Sequence, residues 1–142
     1  MLTGITSPNA FFTSYKEAAW EKDVGSMIGL YYNDVLIYDM WDANGFTSGL
    51  KEWSAIITEW LTSLNDERVR VSFDMINVQK SELMGFASAL IQYQALAPDD
   101  TVLRGMRNRI TLCFLKTGEF WKVKHQHTSA PIDANLQANL AI

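Results

Sequence analysis

The apolar positions of this chain follow one spacing in its first half and another in its second. Phe11, Phe12, Tyr15 and Ala19 recur at three and four residues, the period of a helix with one inward stripe. Ser7 followed by Pro8 pairs an N-cap with a favoured first helical residue, so that helix is expected from there to about Lys22. Asp23 caps a shorter helix whose stripe is Met27, Ile28, Leu30 and Tyr31, ending near Asn33. DVLIYDMW, from Asp34 to Trp41, is β-branched and aromatic and predicts a strand with Val35, Ile37, Asp39 and Trp41 on one face. Turn chemistry fills DANGFTSG (42–49). Ser48 is expected to cap a third helix, Gly49 to about Leu64, carried by Leu50, Trp53, Ile57, Trp60 and Leu64.

From there the period is two. Val69, Val71, Phe73 and Met75 alternate with Arg68, Arg70, Ser72 and Asp74, and further strands are expected from about Leu83 to Leu96, Leu103 to Leu115 and Glu119 to Pro131. Gly118 marks a hairpin between the last two. In the final strand Trp121, Val123, His125, His127 and Ser129 alternate with Lys122, Lys124, Gln126 and Thr128, so both histidines of the protein are predicted to point inward. Pairing Leu115 with Phe120 sets Ile110 beside His125 and Asn108 beside His127. Arg107, Arg109 and Thr111 then share the outer face with Lys122, Lys124 and Gln126. A bulge would shift that register by one and exchange the two sets.

Composition narrows what such elements build. With 142 residues, 48% of them hydrophobic, the chain is the size of one domain, expected over 1–142 with a core at about 8–133 and a tail at 134–142. A formal net charge of −4 without a basic cluster speaks against nucleic acid as a partner. No apolar run approaches the roughly 18 residues of a span and the first fifteen residues do not form a leader, so a soluble cytoplasmic protein with no membrane partner is expected. Cys113 is the one cysteine, which excludes a disulfide within the chain, and it reads as a small buried or half-buried thiol.

If the inner face closes over a cavity, Asp39, Tyr15, His125 and His127 are the candidate catalytic residues. Asp39 stands among apolar neighbours, where desolvation raises its proton affinity toward a range useful for a base; the alternative is a structural acid at the end of the strand, accepting hydrogen bonds from the DANG turn or its neighbours. Tyr15 has a phenol that can polarise a carbonyl, or else it is a core tyrosine bonded to a backbone carbonyl. The two imidazoles are read as proton shuttle, substrate donor or plain wall; two residues apart they make half of a metal site, and no spacing supplies a third ligand, so no metal or cofactor is expected. Five tryptophans are many for this length. Trp20, Trp41, Trp53 and Trp121, with Tyr31, Asn108 and Ile110, are the candidate wall around a small hydrophobic molecule.

The order of elements, two helices, a strand, an inserted helix and then long antiparallel strands, resembles the nuclear-transport-factor-2-like superfamily. That resemblance implies an α+β cone: three N-terminal helices packed in a strongly curved antiparallel sheet around a pocket. The ending WKVKHQHTSAP, preceded by RITLCFLKTGEF, is similar to the SnoaL-like branch, and the likeness runs from about Pro8 to Asp133. The run YKEAAWEKDVGSMIGLYYNDVLIYD, Tyr15 to Asp39, resembles bacterial ketosteroid isomerases, a family of the same superfamily. The resemblance implies Tyr15 as donor to a developing oxyanion, Tyr31 as a member of its supporting network and Asp39 as general base. Where that family has a second oxyanion-hole acid this chain has Ile110 or its neighbours, and where it has a third network tyrosine this chain has Ile57. The function so implied is a pocket for a small organic molecule with cofactor-free proton transfer of isomerase, cyclase or dehydratase type, in a homodimer. The alternative is a non-catalytic binding or dimerisation module joined through the outer face of the sheet, since this fold alone warrants no activity.

Overall fold

The computed structural model describes residues 4–141. Helix α1 (Ala10–Glu21) begins two residues after the Ser7–Pro8 signal, because Ser7 caps the preceding turn instead: its carbonyl accepts from Ala10 N at 3.0 Å and its hydroxyl from Asn9 N at 3.3 Å. Lys22, left-handed at φ 55°, ends it. The Asp23 carboxylate then caps α2 (Val24–Ile28), accepting from Ser26 N at 3.1 Å. That helix is shorter than its apolar stripe suggests. Leu30 O accepts from Val123 N at 2.8 Å, so the chain has already joined the sheet, and Tyr31 opens strand β1 (Tyr31–Tyr38).

Residues Thr47–Ser48 form a two-residue strand β2, with Leu36 opposite Ser48. Ser48 is therefore a sheet residue, and the N-cap of α3 (Leu50–Ser63) is Gly49 at φ 93°, a conformation that favours glycine; no side chain caps that helix. Four long strands follow: β3 (Arg68–Lys80), β4 (Met84–Leu96), β5 (Val102–Thr117) and β6 (Phe120–Ser129).

The strands make one curved sheet in the order β2-β1-β6-β5-β4-β3, antiparallel at every junction except the parallel pair β1 and β6. Its concave face holds α1 on β3 and α3 beside β1 and β2. Phe11 is fully buried, and its ring meets Phe12, Tyr31 and Phe114 nearly edge-on at 5.6, 6.3 and 5.8 Å. Each such side chain contributes about 1.5–3 kcal/mol by leaving water. With Met27, Ile37, Ile57, Ile91, Ile110 and Leu112 they fill one core.

Bulges bend the sheet and decide what faces that core. In β3 an extra residue between Asp74 and Asn77, with Met75 at φ 54°, turns Met75 out to solvent and ends the inward run at Phe73. In β6 the extra residue is Lys124, since Phe114 stands opposite Val123 and Cys113 opposite His125. Its ammonium pairs with Asp34, in the stretch of β1 where the register with β6 also slips. Trp121 and Val123 are therefore buried, and beyond the bulge it is Gln126 and Thr128 that are buried. His125 and His127 point away from the core, which corrects the strict alternation expected for this strand. The hairpin pairs Thr117 with Phe120 and Ile110 with Thr128, not Ile110 with His125.

Candidate functional site

A cavity of about 530 Å³ opens between the helices and the concave face, within the size range of small-molecule sites. Helix α3 gives it an apolar wall: Trp53, Ile56, Ile57, Trp60 and Leu64 recur at three and four residues, so one helical face reaches it. Val69, Ala95 and Met106 extend that wall, and Trp41 and Leu140 stand at its rim. Leu140 is brought there by a folded-back tail, in which Asn139 N donates to Pro131 O at 2.8 Å and Arg107 N to Leu140 O at 3.1 Å. Arg104, also lining the cavity, is paired with Glu67 at 2.7 Å.

The opposite wall is polar. Thr128 Oγ1 donates to Asp39 Oδ1 at 3.0 Å, joining the residue after β1 to the end of β6. Burial raises the Asp39 carboxyl above the ordinary carboxylate value, opposed by the Thr128 hydroxyl and the nearby Trp41 and Met40 amides and assisted by Asp42. The DANG turn closes on a different acid: Asp42 accepts from Thr47 Oγ1 at 2.6 Å and from Asn44 N at 2.9 Å. The Asp39 carboxyl meets that turn's neighbours instead, the Met40 and Trp41 amides, and it lines the cavity.

Tyr15 comes to the same wall from α1. Its hydroxyl lies 3.1 Å from the Tyr93 hydroxyl, contributed by β4. Two hydroxyls sharing one hydrogen bond leave one O–H hydrogen unspent, and both side chains line the cavity. Burial pushes Tyr15 up to about 12, lowered by the Tyr93 bond and raised by Asp39, and burial raises Tyr93 too, so both are neutral phenol donors at neutral pH. Beneath them Tyr31 donates to Gln126 Oε1 at 2.6 Å, and its own proton is held tightly by burial. The Trp53 Nε1–H is turned toward that phenol without reaching hydrogen-bond geometry.

Asn108 completes the wall, buried to 3% exposure. Its Nδ2 donates only to the Met40 thioether, at 3.1 Å, and its Oδ1 accepts no hydrogen bond from the described residues.

The cavity thus gathers Asp39, Tyr15, Trp41, Trp53 and Asn108 of the residues singled out in the sequence. Six others lie elsewhere. His125 and His127 are on the outer face, where Tyr38 meets their rings edge-on at 4.9 and 5.5 Å. His125 Nδ1 is held 2.7 Å from Leu36 O; a carbonyl only accepts, so that nitrogen carries the proton. Trp20 lies under the Arg68 guanidinium, 5.1 Å from its ring centre, beside a separate small depression. Trp121 is buried at the other end of the sheet, where its backbone N–H donates to Ile5 O at 2.9 Å. Tyr31 and Ile110 are fully buried core and do not line the cavity. Conversely Tyr93, Gln126, Thr128 and Trp60 line it without having been assigned there. Trp60 shares the helical stripe of Trp53, and Tyr93 shares the alternation of Ala87, Ala89 and Ile91 along β4, which was signal enough for both. No group of three His, Cys, Asp or Glu among the described residues is placed to hold a metal, and no helix among them is long and apolar enough to cross a membrane.

Helices cradled in a curved sheet around a cavity make an α+β fold, and solved structures share it, among them one described as NTF2-like. An NTF2-like protein of unknown function from Pseudomonas putida is 19% identical with a TM-score of 0.80, over 94% of this chain and 92% of that one. A putative calcium/calmodulin-dependent protein kinase II association domain from Xanthomonas campestris is 14% identical with a TM-score of 0.72, over 87% and 84%. The protein Aln2 from a Streptomyces species is 12% identical with a TM-score of 0.74, over 87% and 91%. The chain belongs to the SnoaL-like domain family, which it matches over residues 9–133. No functionally curated protein matches it.

Proposed function

We propose that the cavity binds a small, largely apolar carbonyl compound and that Asp39 moves a proton on the carbon next to the carbonyl. The observation that carries this reading is the convergence of one carboxylate of raised proton affinity and one spare phenol hydrogen on a single cavity wall. The Asp39 carboxylate takes the α-proton, the C–H pair becomes the enolate double bond, and the carbonyl π pair moves to oxygen. The Tyr15–Tyr93 pair donates to that oxygen, a donor already in place as charge develops. Asp39 then returns the proton to the same or a conjugated carbon, which gives exchange or isomerisation without a cofactor.

The test uses 1-tetralone in D2O, with loss of its C2 proton signal followed by NMR. The wild-type protein is expected to accelerate exchange over buffer. Asp39→Asn should abolish the acceleration with stability changed by no more than about 1 kcal/mol. Asp39 binds its proton more tightly folded than unfolded, so its contribution to stability is full below the ordinary 3.8 and is lost as pH rises through the raised folded value. Removing the charge at pH 7 therefore costs the fold no ionic stabilisation. Tyr15→Phe is expected to slow exchange by about 10²-fold. Exchange unchanged in Asp39→Asn, or no exchange in wild type, refutes the assignment.

A second role, homodimerisation through the outer face, is favoured by one feature. Tyr38 and Phe86 are 41% and 44% exposed there, in cross-strand rows with His127 and His125. Light scattering on the purified chain should give a dimer mass, reduced to a monomer by Phe86→Lys.

A further inference from the structure

We infer that Gln126 is the second donor to the substrate oxygen, its side-chain Nε2–H2 acting beside the Tyr15–Tyr93 pair on a carbonyl that becomes an enolate. This rests on the proton-transfer reading above and deepens it. The Lys124 bulge turns Gln126 into the cavity, where it is 3% exposed. The Tyr31 hydroxyl, 2.6 Å away, donates to Oε1. That leaves the Nε2 end for the remaining direction, and no described residue accepts from it. A buried amide held at one end and unspent at the other is a preorganised donor, the property that matters for charge appearing only in the transition state.

Its neighbours agree. Two residues along the same inward face, Thr128 holds the base Asp39. The donor and the residue that holds the base thus rise from alternate positions of one strand end, as side chains on one face of a strand must. The ligand class follows. Its reacting end is a carbonyl oxygen able to take two hydrogen bonds, and its body is apolar enough to lie on Trp53 and Trp60.

Two measurements test this. In Gln126→Glu, assayed on the alkaline side of the new carboxyl's titration so that it carries no proton to donate, the Oε acceptor for Tyr31 is kept and the N–H donors are lost. Exchange of 1-tetralone should then fall by about 10²-fold in kcat with KM within about three-fold, the mark of an interaction made in the transition state. In the wild-type protein, 2-naphthol, whose phenolic oxygen mimics the enolate oxygen, should shift the Gln126 side-chain amide resonances in a ¹H–¹⁵N spectrum. The second readout needs no variant and survives any loss of folding in Gln126→Glu. Unshifted Gln126 amide signals with 2-naphthol bound, or exchange in Gln126→Glu within three-fold of wild type, overturn the proposal while leaving Asp39 as base. If neither probe binds and no exchange occurs in wild type, the reading it rests on falls as well.

Discussion

On one side of Lys124, strand β6 buries an indole and a valine against the core; on the other it buries an amide and a hydroxyl against a cavity. Trp121 and Val123 are fixed by apolar area, each gaining from every ring and methyl group around it. Gln126 and Thr128 are as deeply buried, at 3% and 5% exposure, yet area does not explain them. They are tolerable because each has a partner, Tyr31 for Gln126 and Asp39 for Thr128. One strand thus serves stability in its first half and chemistry in its second, and a single inserted residue separates them. The outer face follows the same boundary, because the residues that the bulge rejects are the two histidines.

The harshest way to break this contrast is to exchange the residues across it, with His125→Gln, Gln126→His, His127→Thr and Thr128→His in one chain. Imidazoles then stand where the amide and the hydroxyl stood, and both buried bonds are lost. Loss of the cooperative urea transition is the expected result, since broken buried hydrogen-bond networks are among the few causes of very large destabilisation. A protein that still unfolds at the wild-type urea midpoint would mean that those two bonds are not what holds this strand end.

A milder contrast sets neighbours against each other. Gln126→Ala leaves the Tyr31 hydroxyl buried without an acceptor, at a cost of about 1–3 kcal/mol by urea unfolding. His127→Ala, one residue away on the exposed face, should stay within about 0.5 kcal/mol. Equal costs would erase the difference between the faces. The smallest effect is electrostatic. The Thr128 hydroxyl lowers the proton affinity of Asp39, so Thr128→Val should raise it further and move the acid limb of the 1-tetralone exchange profile to higher pH. An unmoved limb would detach Thr128 from the base.

Much of the fold was legible because the patterns that announce it are redundant. Helix α3 shows five apolar residues at helical spacing, and β4 and β5 alternate over a dozen positions, so no single deviation hides them. That Asp39 and Tyr15 face the cavity follows for a related reason, from a polar group inside an apolar period and from a run that resembles another family. The bulge was not legible. After Val123 the strand reads KHQHTS, six polar residues, so hydrophobic alternation has nothing left with which to fix the frame. Either face was equally acceptable to the pattern, and the choice is made in three dimensions, by Tyr31 and Asp39 reaching across. Trp20 and Trp121 show another limit. Periodicity says that a side chain points inward, but a packed core and a cavity wall share that face, and only packing tells them apart.

The central claim is that one wall holds Asp39, Tyr15 and Gln126 while the imidazoles look the other way. It is tested most directly by titrating the protein with 1-tetralone and following the five indole N–H and two histidine ring signals in one NMR series. The indoles of Trp41, Trp53 and Trp60 should shift, while those of Trp20 and Trp121 and the rings of His125 and His127 stay in place. Shifted histidine rings with an unmoved Trp53 and Trp60 would contradict it.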